Sequence, residues 1–412
     1  MLQALRVRDF RLLWTARSIA ALGTGLLDVA VPAHIYAVTG SVLATGLSLA
    51  FRYLPALLLG PFAGVIADRW DRPRIMITTD LIHAMAISVV LLAQTPETIW
   101  IIYAAMLGQG TAAVIFRPAA QAHTPAVVGI GPLLSSANAL GAFTTGVIGL
   151  SAPPIGGLMF ATSGINVVIG AAITASLLSA TAIARTTTRS RAHGPAQNVL
   201  ADLIQGLRHL RQAATTRALL ATNSVYLLAN AALTALLIPF AVTHLGESVQ
   251  VGYLLSALGL GFLLGAPVGR RLVDRFSART TLALSQALVA GAFFLMFNAA
   301  SLPVALIAAV LLGMPGVTVL VATHTWLQRA TPKTLLGRVS SAFLTAEAAA
   351  SMAGAIAGPA ISKLTSLPLA LDAACTLTLL SALLALCLMP RGSQVLQGPE
   401  GDRSREPAQD QE

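Results

Sequence analysis

The sequence predicts an all-α membrane protein in which twelve transmembrane helices form two pseudo-symmetric six-helix bundles. Three observations support this prediction: the apolar composition, the number and length of the apolar stretches, and a repeat of about half the chain length. Of the 412 residues, 56% are hydrophobic and only 10% are charged, and the mean hydropathy is +0.77. Soluble domains contain about a quarter charged residues. The composition therefore excludes a water-soluble globular enzyme.

Twelve apolar stretches are each long enough to cross a membrane as a helix. A helix needs about 20 residues to cross roughly 30 Å of hydrocarbon, and its backbone polar groups are satisfied internally. The stretches are too long and continuous for the alternation of about ten residues that is typical of barrel strands. They cover residues 12–37, 43–67, 75–95, 98–121, 133–161, 164–184, 218–243, 250–273, 280–299, 303–327, 337–362 and 367–389.

The first apolar stretch is too long for a signal peptide and has no small-residue cleavage site, so we expect a retained first span. With both termini inside, 22 of the 26 Lys and Arg residues fall in inner segments. Lys363 lies in an outer loop, and Arg17, Arg52 and Arg117 lie within spans. The positive-inside rule therefore predicts that both termini lie in the cytoplasm, and we expect a multi-pass protein of the cell (inner) membrane. Because this topology accounts for the net charge of +10 and no nucleic-acid-binding motif accompanies it, we expect no nucleic-acid partner.

The second half of the chain repeats features of the first at an offset of about 206 residues. Asp68-Arg69-Trp70 returns as Asp274-Arg275-Phe276, and Pro153 returns as Pro359. An ordered series of matches at one offset indicates duplication. We expect an N-terminal bundle over 1–187, a cytoplasmic linker with an amphipathic helix over 188–216, a C-terminal bundle over 217–390 and a disordered cytoplasmic tail over 391–412. Two such halves with a site between them are typical of transporters.

The segment GVIADRWDRPR, residues 64–74, lies between spans two and three. Asp68 falls where span two ends, beside the negative end of the helix dipole, so its carboxylate needs a cation. Arg69 and Arg72 are close enough in sequence to supply one. Asp71, followed by Pro73, is placed to cap the start of span three.

This segment resembles the loop motif of the major facilitator superfamily, which implies the two-bundle fold of that family. In the family, this cluster latches the cytoplasmic side in one conformation. The alternative for this chain is that these charged residues only set the orientation of the helices in the membrane. The second copy is looser in spacing and supports duplication more than a separate mechanism. The resemblance implies a conformational latch formed by Gly64, Asp68, Arg69, Arg72, Asp274 and Arg275.

A narrower resemblance covers nearly the whole chain, to the drug-exporter branch that includes macrolide efflux proteins and the enterobactin exporter. The matching pieces include Phe10–Trp14, Arg52–Pro55, Phe116–Ala119 and Ala137–Leu140. The span-five export signature survives only in part, as PPIGG at 153–157. Span four lacks the arginine of the proton-coupled exporters, so that residue's coupling role cannot be carried over.

The resemblance implies a secondary active transporter that exports a moderately hydrophobic small molecule, a drug or a siderophore-like compound, by alternating access and proton antiport. Such efflux would confer drug resistance. The partners implied are this substrate, protons and the lipid bilayer, and we expect a monomer. Two alternatives stay open: an importer or uniporter of an endogenous metabolite, and a membrane sensor that transports nothing.

Ionisable groups deep in spans cost about 2.5–3.5 kcal/mol on insertion scales and are candidates for function. Asp28 and Arg52 both lie about 22–24 Å from the inner ends of their spans at 1.5 Å per residue, so an ion pair is geometrically feasible. Glu347 lies about 15 Å into span eleven. We expect Asp28 and Glu347 to bind protons or a cationic substrate, with Arg52 as a partner. The alternatives are a static salt bridge for Asp28 and Arg52, and a polar neighbour for Glu347.

Other polar residues within spans are candidates for a substrate cavity, although each could equally form a hydrogen bond between helices. We interpret His83 as a packing residue, and we expect Asp80 to reach water from near a span end. No nucleotide-binding loop, metal-binding pair or catalytic constellation is present in the sequence, so we expect no enzyme activity, no catalytic residue, no cofactor and no metal. The cavity candidates are Gln109, Arg117, Asn223, Asn230, Thr234 and His324.

Overall fold

The structure is a computed structural model that describes residues 2–129, 132–190, 199–246, 249–332 and 335–390. Two predicted segments lie partly or wholly outside these residues: part of the linker, 191–198, and the C-terminal tail, 391–412. In the part of the chain that is described, the regular structure is entirely helical.

Within these ranges, twelve α-helices follow the predicted apolar stretches and the predicted linker helix closely. Short 3₁₀ turns precede α1 and lie between α3 and α4. The helices are α1 (Arg8–Thr39), α2 (Val42–Arg69), α3 (Arg72–Ser88), α4 (Ile99–Val128), α5 (Pro132–Ala184), α6 (Val199–Gln212), α7 (Ala214–Phe240), α8 (Val249–Arg275), α9 (Ala278–Phe297), α10 (Leu302–Arg329), α11 (Leu336–Leu364) and α12 (Leu367–Leu388).

Helix α5 contains two of the predicted spans. Its backbone breaks at Gly164, where φ is 76° and ψ is 175°. This conformation favours glycine, because a side chain at positive φ meets the backbone. Eleven of the described helices, α5 included and α6 excluded, are long and apolar enough to cross a membrane. Because the break divides α5 into spans five and six, these helices provide the twelve predicted crossings. Helices α1–α4 are spans one to four, and α7–α12 are spans seven to twelve.

The two halves use the same pattern of helix packing. In the first half, α1 packs on α5, α2 packs on α4, and α3 packs on both α4 and α5. In the second half, α7 packs on α11, α8 packs on α10, and α9 packs on both α10 and α12. Since the second part of α5 is span six, each pair in one half has its counterpart in the other. The chain therefore forms two pseudo-symmetric six-helix bundles.

The halves meet where α2 packs on α11 and where α5 packs on α8. Gly46 of α2 lies so close to α11 that an added Cβ would be 2.3 Å from the Pro359 ring and 2.6 Å from the Ala355 carbonyl oxygen. On the other side of the interface, the Ser256 hydroxyl of α8 donates to the Leu150 carbonyl oxygen of α5 at 3.1 Å. Gly46 and Ser256 lie in the first half of α2 and of α8, respectively. These contacts therefore close the halves together at the predicted outer end.

The linker is attached to both halves. One carboxylate oxygen of Asp9, at the start of α1, accepts hydrogen bonds from the backbone N–H and the hydroxyl of both Thr187 and Thr188, at 2.6–3.0 Å. Helix α6 packs on the beginning of α11, where Arg338 hydrogen-bonds to Gln205. The linker therefore starts on the first half and ends on the second.

Candidate functional site

Glu347 is the centre of a polar cluster between three helices of the second half. The Asn223 side-chain amide of α7 donates to the Glu347 carboxylate at 2.8 Å. Nε2 of His324, on α10, lies 4.0 Å from the same carboxylate oxygen. The Glu347 side chain is only 17% exposed. The structure thus joins an acid predicted for coupling to two residues that the sequence predicts for a substrate cavity.

Helix α11, which carries Glu347, packs tightly against both halves of the chain. Seven residues beyond Glu347, Gly354 lets α11 approach α7 so closely that an added Cβ would lie 2.0 Å from the Leu228 carbonyl oxygen. Further along, Ala355 and Pro359 form the contact with Gly46 of the first half. A single helix therefore carries the acid, the tight packing within its own half and the interface between the halves.

Asp28 and Arg52 form the second charged site. The Arg52 guanidinium donates to the Asp28 carboxylate as a hydrogen-bonded ion pair between α1 and α2. About a third of each side chain is exposed, 36% for Asp28 and 32% for Arg52. The PPIGG segment of span five packs beside this pair, since a Cβ added to Gly156 would lie 2.2 Å from the Leu26 carbonyl oxygen. Gly156 of the export signature thus permits close contact with α1 two residues from Asp28.

A small cavity of about 120 Å³ lies among α7, α8, α9 and α10. Asn230 and Thr234 contribute polar groups to its wall together with Tyr226, which sequence reasoning missed. Most of the remaining lining is apolar, with Phe262 and Phe293 among the aromatic residues. This cavity suits a small apolar group that offers one or two polar atoms.

Two predicted cavity residues lie elsewhere. Gln109 is buried in α4, and its amide nitrogen has no hydrogen-bond partner among the described residues. Arg117, also on α4, is exposed. The structure does not bring either side chain to the Glu347 cluster or to the wall of the cavity. In the described part of the chain, no three His, Cys, Asp or Glu side chains converge on a position that a metal ion could occupy.

The predicted latch is described in part. Gly64, Asp68 and Arg69 belong to the end of α2, but the side chains of Asp68 and Arg69 lie outside what the structure describes. Arg72 donates to the Ala122 carbonyl oxygen of α4 at 3.0 Å. Asp71 stands at the start of α3 without capping it through its side chain. The expectation of a side-chain cap was wrong.

The carboxylate of Asp71 lies between two cations instead. Arg74 and Arg189 are each 3.8 Å from it, and Arg189 belongs to the start of the linker. In the second half, Asp274 pairs with Arg329 of α10 at 3.2 Å, whereas Arg275 is exposed. These charges therefore tie neighbouring elements of the predicted inner face together.

Sequence reasoning also missed a buried polar cluster between α3 and span six. The Ser179 hydroxyl donates to the Asp80 carboxylate at 2.6 Å, and one ring nitrogen of His83 lies 2.8 Å from the Ser176 hydroxyl oxygen. Asp80 is only 5% exposed. The expectation that Asp80 reaches water was wrong, because the side chain faces α5. The sequence did contain a signal for this cluster: Asp80 and His83 are three residues apart, and so are Ser176 and Ser179.

Two bundles of six helices, with ionisable side chains between apolar helices in each, define a membrane transporter of the major facilitator type. The chain belongs to the MFS_3 family, the transmembrane secretion effectors, whose family model matches residues 1–405. It is 28% identical over 339 residues to the enterobactin exporter EntS of Escherichia coli O1:K1 / APEC, a match that covers 80% of each chain.

Solved transporter structures share the fold. A mutant of the nucleoside transporter NupG superposes with a TM-score of 0.75 at 11% identity, covering 93% of this chain and all of the other. The human organic anion transporter MFSD10 superposes with a TM-score of 0.67 at 17% identity, covering 92% of this chain and 99% of that one. At these identities the likeness shows the fold alone.

Proposed function

We propose that this protein exports a moderately hydrophobic small molecule, a drug or a siderophore-like compound, by alternating access coupled to proton antiport. The observation that carries the proposal is the position of Glu347. It is a buried acid held by Asn223 and faced by His324, on the same helix that forms the interface with the first half. The similarity to an enterobactin exporter supports export and the substrate class.

Proton binding at Glu347 changes the forces between three helices. The ionised carboxylate accepts the Asn223 hydrogen bond, and its oxygen lies 4.0 Å from Nε2 of His324. The protonated acid keeps an oxygen for Asn223 but no longer presents a negative charge to the imidazole. Protonation therefore weakens the contact of α11 with α10 while α7 stays attached. Because α11 also packs on α2, this change biases the contact between the halves.

The Asp28–Arg52 pair is the proposed partner site in the first half. Since about a third of each side chain is exposed, water or a cationic part of the substrate can reach the carboxylate. A cation that displaces Arg52 from Asp28 would keep the carboxylate paired, and the partly exposed Arg52 guanidinium would turn to water. The proposed sites thus lie in different halves, as alternating access around a central substrate requires.

The proposal also covers topology, oligomeric state and motion. The protein is a monomer in the cell membrane with both termini in the cytoplasm. During transport, the halves 1–187 and 217–390 rock against each other. The charge cluster around Asp68 stabilises one state on the cytoplasmic side. The ion pair of Asp274 with Arg329 supports this role, because it joins a carboxylate at the same position of the repeat to another helix of its half.

The test is transport by purified protein in liposomes with an imposed pH gradient and a panel of drugs and siderophores. We expect gradient-driven flux of at least one compound in the wild type and its loss in Glu347→Gln. Asp372→Asn is the matched control, because this exposed carboxylate of α12 lies outside the cluster, and it should transport as the wild type does.

Each other outcome contradicts a different part of the proposal. Undiminished gradient-driven flux in Glu347→Gln would refute the coupling role of this acid. Flux that ignores the pH gradient would favour a uniporter, and flux driven in the opposite direction would favour an importer. Absence of flux for the whole panel in the wild type would favour the sensor.

A further inference from the structure

The cluster of α3 and span six is built like a proton-binding site. Asp80 and His83 lie one turn apart on α3, and Ser176 and Ser179 lie one turn apart on α5. The two helices present these pairs to each other, so that Ser179 contacts Asp80 and Ser176 contacts His83. Both ionisable side chains are more than nine-tenths buried, with exposures of 5% for Asp80 and 8% for His83.

The hydrogen bonds favour one tautomer of His83. The Ser176 hydroxyl oxygen has two contacts, the Ala172 carbonyl oxygen at 3.0 Å and Nδ1 of His83 at 2.8 Å, but the hydroxyl has only one hydrogen. Both contacts are hydrogen bonds when the hydroxyl donates to Ala172 and Nδ1 donates to the hydroxyl. The proton of the neutral ring is then on Nδ1, and Nε2 keeps its lone pair. Nε2 is buried without a hydrogen-bond partner among the described residues, which leaves an unused base inside the first half.

The charged groups around the cluster are few. Helix α5 has no ionisable side chain along its whole length. On α4, Tyr103 donates to a carbonyl oxygen of α2 and His123 contacts Ser190 at the start of the linker, while Arg117 is exposed. On α2, Arg52 is close enough to His83 to act on it electrostatically, and its guanidinium is paired with Asp28.

Asp80 therefore has a hydroxyl group as its contact but no cation at ion-pair distance within the described residues. The two arginines of the same helix, Arg72 and Arg74, lie in its first turn, about two helical turns away from Asp80. An unpaired carboxylate is costly in an apolar interface, so a proton is the simplest partner that removes the charge.

The repeat shows that the fold does not need an acid at this position. At the offset that relates Asp68 to Asp274, the counterpart of Asp80 is Gln286 of α9. Gln286 is fully buried, and neither atom of its amide has a hydrogen-bond partner in the described part of the chain. The second half thus keeps a neutral polar side chain where the first half has an ionisable one. An acid in one half alone indicates a task beyond packing.

We propose that Asp80 and His83 form a second proton-binding site, in the first half, that is distinct from Glu347. Asp80 takes up one proton to become a neutral carboxylic acid and releases it to become a carboxylate. Ser179 donates to the carboxyl group in both forms, and His83 is the neighbouring base through Nε2. The place of this site in the transport cycle rests on the proposed proton antiport. Together with Glu347, it would give each half a buried proton-binding acid.

The test is infrared difference spectroscopy of the full-length protein in liposomes, recorded between about pH 5 and pH 9 in H₂O and in D₂O. We expect a protonated-carboxyl band that titrates in this range, shifts in D₂O and is lost in Asp80→Asn. Ser179→Ala should keep the band but move it to higher frequency, because the carboxyl group loses its hydrogen-bond donor. Glu97→Gln, which changes an exposed carboxylate at the start of span four, is the control and should leave the band unchanged.

A pH-dependent difference spectrum that is the same in Asp80→Asn and in the wild type would overturn the proposal. So would an Asp80 band that persists unchanged across the whole pH range, because it would indicate a permanently neutral structural acid. Glu347→Gln should remove a different band. The spectra need no substrate, so they test this site even if no pH-driven flux is found, which would contradict only the proposed function.

Discussion

The contact of Gly46 with α11 offers a direct test of how the halves close. In Gly46→Ala, the new methyl group would lie 2.3 Å from the Pro359 ring and 2.6 Å from the Ala355 carbonyl oxygen. Both distances are well inside van der Waals contact, and the second partner is backbone that cannot rotate away. We expect α2 and α11 to separate at this end.

The size of the effect follows from the cost of overpacking. An extra methyl group in a packed interface costs about 1–3 kcal/mol, which changes a conformational equilibrium by about 5- to 150-fold. Gly60→Ala is the matched control, since Gly60 lies on the same helix and nothing stands within 4 Å of its added Cβ. Both variants gain the same helix propensity, about 1 kcal/mol, so this term cancels in the comparison.

The assay is a distance measurement between spin labels at Thr162→Cys, at the end of span five, and Leu364→Cys, at the end of α11, with the two native cysteines replaced. Both labelling sites are exposed. We expect the population with the shorter distance to fall in Gly46→Ala and to stay unchanged in Gly60→Ala. Identical distance distributions in the two variants would refute the inference that this contact holds the predicted outer end closed.

Two further predictions concern the linker. Asp9→Ala removes the acceptor of four hydrogen bonds from Thr187 and Thr188, and we expect it to lower the free energy of unfolding by about 1.5–3 kcal/mol; thermal unfolding indistinguishable from that of Glu97→Ala would contradict this. Gly206→Ala would place a Cβ 2.3 Å from the Arg338 carbonyl oxygen. We therefore expect α6 to lose its packing contact with α11 and trypsin to cleave α6 faster. Gly170→Ala, which has open space around its Cβ, should be cleaved as the wild type is.

The fold follows from the sequence because length and apolarity decide where a chain can cross a membrane. The helix boundaries lie within a few residues of the predicted spans at most ends. The break between spans five and six depends on a single residue, Gly164, and α5 is otherwise continuous. The amphipathic pattern likewise predicts α6, although its contact with the start of α11 depends on tertiary packing that the pattern does not contain.

The site was harder to predict, because depth along a helix does not reveal the direction of a side chain. Matching depth was enough to predict the pair of Asp28 and Arg52, since both residues can reach across one helix contact. For Glu347, the sequence offered candidate partners but not which of them would meet it. For Asp80, counting residues from the helix start suggested a span end, whereas the side chain faces Ser179 in the interior.

The most direct test of the central claim compares two modes of transport by Glu347→Gln in liposomes. Glutamine keeps the shape of the side chain and an oxygen for the Asn223 hydrogen bond, but it cannot exchange a proton. We expect substrate exchange without a pH gradient to persist within about twofold of the wild type, whereas net flux driven by the gradient is lost. Gradient-driven net flux equal to that of the wild type would contradict the account.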